Sequence, residues 1–171
     1  MSDSNVKVLI IAEHDGSVLA AETLKAVTAA QQLRQFADSI TTDVLVFGKG
    51  CATVVESASC IDGVSQVLVV DSDIRVAEAM TSLVSDIAKQ YTHLMAAATT
   101  FGKNLMPRIA AKLDVGQLSD VSQIFGVDTV VRPIYAGNAL AKVRSLDPLK
   151  VLTVRASSFE KAAMGETATA Q

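Results

Sequence analysis

Tryptophan is absent from this chain of 171 residues, and aromatic residues make up only 4% of it. The core must therefore be aliphatic, built from Val, Leu, Ile, Ala and Met. Cysteine is nearly absent as well. Cys51 and Cys60 are too few for a disulfide framework and wrongly spaced for a zinc or redox pair. On one helix they would point to opposite faces, so two free thiols in a reducing compartment are expected. Basic clusters are missing: the formal net charge is −3, and no stretch concentrates Lys and Arg. That argues against nucleic acid as a partner, because such binding rests on neutralising phosphates. Long apolar runs are missing too. None nears the ~20 residues that cross a bilayer, so no membrane insertion is expected. The opening MSDSNVKVLII has neither the charged start and cleavage site of a secretory signal nor the Arg-rich look of a transit peptide. A soluble intracellular protein is expected, from a bacterial cytoplasm or, with a presequence already removed, from a mitochondrial matrix.

What is present suits one folded domain. Hydrophobic residues are 50% and charged residues 19%, and a chain of this length buries roughly 70% of the surface it exposes when unfolded. Residues 6–12, VKVLIIA, form a near-continuous β-branched run, which marks a central strand of a parallel sheet. A helix is predicted over 18–33, with Ala20, Leu24, Val27 and Ala30 facing inward. A polar, irregular stretch over 34–42 leads to a strand over 43–47, closed by Gly48-Lys49-Gly50. A helix over 52–59 and a strand over 66–70 follow. The next helix presents Val76, Met80, Leu83 and Ile87 as its stripe. Strand and helix then alternate once more, which implies right-handed βαβ units and a mostly parallel sheet.

The fourth strand–helix unit, HLMAAATTFGKNLMPRIAAKL over 93–113, is where an open α/β sheet would place a ligand or partner. It reads as a buried strand, a sharp turn at Phe101-Gly102, and a helix whose Leu105, Ile109 and Leu113 share one face. Lys103, Arg108 and Lys112 fall off that stripe. Beyond it the pattern changes. Short strands are predicted over 121–126, 129–134, 139–144 and 150–155, with a hairpin turn at Ala136-Gly137-Asn138 where Gly and Asn tolerate positive φ. The sheet is therefore expected to end in an antiparallel extension. Pro133 favours a strand edge or end. Residues 160–171, rich in Ala, Thr and Gly, read as a tail or linker.

Chemistry-bearing motifs are scarce. There is no G-x-G-x-x-G, no phosphate-binding G-x-x-x-x-G-K-[ST], no G-x-S-x-G and no H-E-x-x-H. Gly48-Lys49-Gly50 reads as a turn. His14, between Glu13 and Asp15, ends the first strand; neighbours on an extended chain point apart, so a turn-forming role outweighs a metal or general-base role. His93 has no obvious partner in the sequence. The most promising surface is 101–108. Asn104 is placed to cap the helix, whose free N–H groups could meet an anion, with Lys103 and Arg108 adding positive charge.

Four blocks then carry a resemblance: Ala12-Glu13-His14; residues 92–120, THLMAAATTFGKNLMPRIAAKLDVGQLSD; Arg132-Pro133-Ile134-Tyr135-Ala136-Gly137-Asn138-Ala139; and Val154-Arg155-Ala156-Ser157-Ser158-Phe159. In this order they resemble the amino-terminal domain of the electron transfer flavoprotein alpha subunit, over most of residues 6–159. The resemblance implies a Rossmann-like α/β fold, akin to the adenine nucleotide alpha hydrolases: a mostly parallel sheet with flanking helices and an antiparallel C-terminal extension. It implies a domain spanning 1–159 that packs against a beta subunit, while FAD is bound mainly by a following domain. No cofactor is then expected in this chain, and no catalysis or metal. The heterodimer so implied takes electrons from acyl-CoA and related dehydrogenases to a quinone oxidoreductase. The subunit-contact candidates are Phe101, Gly102, Lys103, Asn104 and Arg108, with Tyr135, Gly137 and Asn138. The chain departs from the family in a polar insertion over roughly 34–38. The strand–helix order alone permits two other readings. One is a small ATP- or AMP-binding module of the universal-stress or ATP-pyrophosphatase type, against which the missing phosphate loop speaks. The other is a hydrolase using His14.

Overall fold

The computed structural model describes residues 5–73, 76–168 and 170. Its parallel core is β1 (Asn5–Ile11), α1 (Ala21–Gln32), β2 (Ser39–Phe47), α2 (Ala52–Ser59), β3 (Gln66–Val70), α3 (Ala77–Ala88), β4 (His93–Ala97), α4 (Thr100–Lys112) and β5 (Gln117–Val121). Then come β6 (Gln123–Ile124), β7 (Thr129–Ile134), β8 (Ala139–Arg144) and β9 (Lys150–Val154). Six strands form one sheet in the order β3-β2-β1-β4-β9-β5, with every pair in it parallel. The remaining three form an antiparallel sheet, β6-β7-β8.

The alternation of side chains across the pleat explains the layers. Val8 and Ile10 of β1, Val44 and Val46 of β2, and Met95 of β4 point to one face, where α1 and α2 add Val27, Ala30 and Val54. Leu9, Ile11, Leu45 and Leu94 point to the other, where α3 and α4 add Val84, Leu105 and Ile109. A strand covered on both faces has no use for polar positions, hence the unbroken apolar run over 8–11 in β1. Each fully buried Leu or Ile contributes about 1.5–3 kcal/mol.

Several expectations shift. β2 begins at Ser39, paired with Asn5, so the stretch read as irregular is partly strand. Its first residues are polar because they lie outside the helices' cover; Ser39 and Thr41 are exposed. Part of the 34–38 insertion forms a short 3-10 turn, Leu33–Gln35, that extends α1. The inward face of α3 is rotated from the predicted stripe. Val76 and Leu83 are exposed, at 56% and 38%, while Met80, Thr81, Val84, Ser85 and Ala88 are buried. Two hydroxyls fit there because each donates to a carbonyl one turn back, Thr81 to Ala77 and Ser85 to Thr81, both at 2.6 Å.

The predicted strand over 121–126 divides. Val121 ends β5, Gln123–Ile124 is β6, and Asp120 sits between Leu118 and Val121 at φ 56°, where the register of β5 against β9 shifts. The last strand, read with the antiparallel group, instead enters the main sheet between β4 and β5, parallel to both. The antiparallel extension is therefore an insertion that leaves the main sheet after β5 and returns as β9. Pro133 lies beyond the two residues through which β6 pairs with β7, so its missing N–H costs no ladder bond on that side.

The described residues from Glu160 onward lie against the body. Ala162 is buried and donates to Leu24 O at 3.2 Å, Asp62 N donates to Ala163 O at 2.9 Å, and Gly165 N donates to Cys60 O at 2.8 Å. The part of the predicted tail at 169 and 171 falls outside the described residues. Cys51 and Cys60 flank α2, and neither is in a disulfide.

Candidate functional site

β1 leads through α1 to β2 on one side, and β4 lies on its other side, so the chain switches direction between β1 and β4. Open α/β folds bind ligands beyond the carboxyl ends of strands at such a point. Here the crevice is lined by Ala12, Glu13, His14, Phe47, Met80 and Phe101, and encloses about 160 Å³. Sites for small-molecule ligands usually run to ~300–1,000 Å³.

A hydrogen bond ties one wall of the crevice to the start of α4. Thr99, between β4 and α4, donates its hydroxyl to Glu13 Oε2 at 2.6 Å, and its Oγ1 accepts from Gly102 N at 3.3 Å. Thr99 is thus the N-cap of α4, in place of the predicted Asn104. Asn104 lies a turn further on, exposed, and its Oδ1 accepts from Arg108 Nε at 3.2 Å. Phe101 and Gly102 do not form a turn; both are inside α4. Gly102 is required by contact. A Cβ there would sit 1.9 Å from the carbonyl oxygen of Ala97.

His14 serves the loop after β1. Its Nε2 lies 3.1 Å from Phe47 O and its Nδ1 3.0 Å from Gly16 N. A carbonyl only accepts and an amide N–H only donates, so Nε2 carries the proton and Nδ1 is engaged. The turn-forming role fits, and the hydrolase reading loses its free base. Asp15 Oδ1 accepts from the amides of Ser17 and Val18 and from the Ser17 hydroxyl. These donors, Val18 N–H first, hold the Asp15 carboxyl down to about 2.

On the outer face of α4, Lys103 and Arg108 are exposed. Arg108 Nη2 pairs with Glu78 Oε1 of α3 at 3.0 Å, so part of its charge is spent within the domain. The second candidate surface is the β7–β8 tip. Tyr135, Ala136 and Gly137 all take left-handed φ, at 49°, 53° and 92°. Asn138 is right-handed at φ −73°, against expectation. Two non-glycine residues absorb the strain instead, and Tyr135 is left 80% exposed. Gly137 and Leu140 border an open hollow with Gln123, Arg155 and Ser158. Arg155 follows β9, the neighbour of β4, so both surfaces open at the carboxyl end of the main sheet. No hairpin residue lines the β1–β4 crevice. Thr99 is the residue that sequence reasoning passed over, and Glu13 entered it only as a neighbour of His14. A Thr directly before a helix is an N-cap signal, and it stood one residue before Thr100.

No cluster of potential metal ligands occurs among the described residues, and none of their helices is long and apolar enough to cross a membrane. Compared with known proteins, residues 8–171 match the family model described as the electron transfer flavoprotein domain. The chain belongs to the electron transfer flavoprotein domain family. It is 43% identical to the electron transfer flavoprotein subunit alpha of Pseudomonas aeruginosa, over 91% of this chain and 50% of that protein. It is also 43% identical to the Paracoccus denitrificans subunit alpha, over 94% of this chain and 52% of that one. A mitochondrial subunit alpha from Dictyostelium discoideum is 41% identical, over 90% and 45%. The chain therefore spans about half the length of the curated relatives it matches. For an electron transfer flavoprotein domain, the crevice does not fit a flavin. It encloses about 160 Å³, and Glu13 in its wall accepts from the Thr99 hydroxyl.

Proposed function

We propose that residues 1–159 are the amino-terminal domain of an electron transfer flavoprotein alpha subunit, acting as scaffold and subunit contact, with 160–171 as a linker or tail. The observation that carries this is the family match over residues 8–171 to about half the length of alpha subunits. The small crevice supports it: the fold has its usual ligand position, and that position encloses only about 160 Å³. In this reading FAD is held mainly outside this chain, the partner is a beta subunit, and the assembled carrier passes electrons from acyl-CoA and related dehydrogenases to a quinone oxidoreductase. The compartment is a bacterial cytoplasm or a mitochondrial matrix; relatives named mitochondrial exist. The contact surface is 101–108 together with the 135–138 tip.

Light scattering on the chain mixed with an electron transfer flavoprotein beta subunit tests the reading. A one-to-one complex is expected, and no association at high micromolar concentration would overturn a stand-alone interface. Calorimetry with ATP and AMP tests the nucleotide-module alternative. Clear micromolar heats would favour it over the scaffold role.

A further inference from the structure

Arg132 lies on β7, which runs straight into the Tyr135 tip. Residues opposite one another on an antiparallel pair share a face. Arg132 and its partner Ala141 therefore stand on the face of Val130 and Val143, which pack with the core. Toward the tip that face carries Ile134 opposite Ala139. Arg132, Ile134, Ala139 and Ala141 are all half-buried. Arg132 Nε is shielded from solvent, and among the described residues the guanidinium has neither a hydrogen-bond acceptor nor an ion pair.

Other arginines here are paired or wet. Arg108 and Arg144 are exposed and reach Glu78 and Asp128. Arg155, half-buried like Arg132, has Asp120 Oδ2 at 3.3 Å. Arg34 is exposed, where water solvates it. A half-buried guanidinium cannot escape the cost of its charge by losing a proton, because arginine stays protonated. An acceptor must come to it. A carboxylate matches the guanidinium fork with two parallel bonds. A free phosphate would find one cation and no second side-chain donor on this face, since Ile134, Ala139 and Ala141 carry none and Pro133 lacks an N–H. A carboxylate presented by another protein brings apolar neighbours that can cover those residues.

We propose that Arg132 is a charged anchor of the subunit contact, and that an aspartate or glutamate of the beta subunit meets its outer nitrogens, Nη1 and Nη2. This rests on reading the chain as an alpha-subunit domain whose 135–138 tip touches that partner. Nε stays covered, so the carboxylate approaches end-on. The half-buried setting strengthens the pair, because less water screens it. Without the partner the charge is a cost to the domain. With it the charge contributes to binding, and arginine is among the residues that dominate interface energies.

Stopped-flow association and dissociation of the chain with an electron transfer flavoprotein beta subunit, together with melts of the chain alone, read this directly. Arg132→Met keeps an unbranched apolar stem and removes the charge. It is expected to dissociate at least ~30-fold faster, as a hot spot does, with association changed by less than about 3-fold. The melting temperature of the uncomplexed variant should equal or exceed the parent's, because an unpaired half-buried charge is gone. Arg132→Lys, a point charge without the fork, should fall between the two in dissociation rate. Dissociation of Arg132→Met at the parent's rate, or a loss confined to association, overturns the anchor. So does a melting temperature more than about 4 °C below the parent's, or failure of Arg132→Met to fold, since either would put the acceptor of Arg132 inside the chain. A parent chain that does not associate at all overturns the contact reading and this proposal with it. A parent that binds, beside an Arg132→Met that binds equally, overturns this proposal alone.

Discussion

At the scale of single residues, the joint between β4 and α4 depends on an atom that is absent. The helix starts so close to the strand that Gly102 has no room for a side chain; the obstacle is the Ala97 carbonyl, which is backbone and cannot swing away. Gly102→Ala is therefore expected to destabilise the domain by about 2–3 kcal/mol, at the upper end of overpacking costs, and denaturant melts would measure it. A change below ~0.5 kcal/mol would mean that the helix start shifts freely. Sequence reasoning marked Gly102 and assigned it to a turn, which is the commoner use of glycine. It had no means to see a backbone-to-backbone approach, because Ala97 and Gly102 meet only once the strand and helix have folded. The same holds for Glu13 and Thr99, which are 86 residues apart and meet only across the switch point. His93 likewise showed no partner in the sequence, because Val127 is 34 residues away.

At the scale of elements, legibility followed periodicity. The strand over 66–70 and the helix over 52–59 were readable to the residue, because the apolar run or the turn signals around them were unambiguous. α3 was readable as a helix, yet its face was not. A hydropathy stripe counts Leu83 as core and Thr81 and Ser85 as surface; the hydroxyls escape that rule by bonding back to their own helix. The consequence is testable with adjacent positions. Leu83→Gln should change stability by less than ~0.5 kcal/mol, as for other surface sites. Val84→Asp, one residue on at 0% exposure, should cost more than ~3 kcal/mol or prevent folding, since a carboxylate there has no partner. Thermal melts of the two variants check it, and reversed effects would restore the predicted stripe. β5 and β9 were harder still. QLSDV over 117–121 carries too little apolar signal to stand alone. The direction of β9 was hidden because 28 residues separate it from β5, and only the return of the chain into the main sheet decides it.

At the scale of the whole molecule, the two candidate contact surfaces share one end of the sheet but differ in chemistry. Lys103 and Arg108 offer charge at a helix rim, and Arg108 is already committed in part to Glu78. Charges of this kind set association rate and salt dependence more than affinity. The hairpin tip offers an aromatic ring, 80% exposed and held out by three successive left-handed residues. An exposed tyrosine on a strained tip contributes nothing to the domain's own core, and aromatic anchors are the residues that dominate binding energy at interfaces. Tyr135→Ala should therefore leave the melting temperature of the isolated chain within about 1 °C, the shift expected for ~0.2 kcal/mol in a domain of this size. It should weaken a complex with the beta subunit by at least ~30-fold, the equivalent of a 2 kcal/mol hot spot. Lys103→Glu should instead slow association and reduce its dependence on salt, with a smaller loss of affinity. Stopped-flow association with dissociation measured in parallel separates the two. If Tyr135→Ala binds as the parent does while Lys103→Glu loses the complex, the contact lies along α4 alone, and the strain at the hairpin tip serves some other purpose.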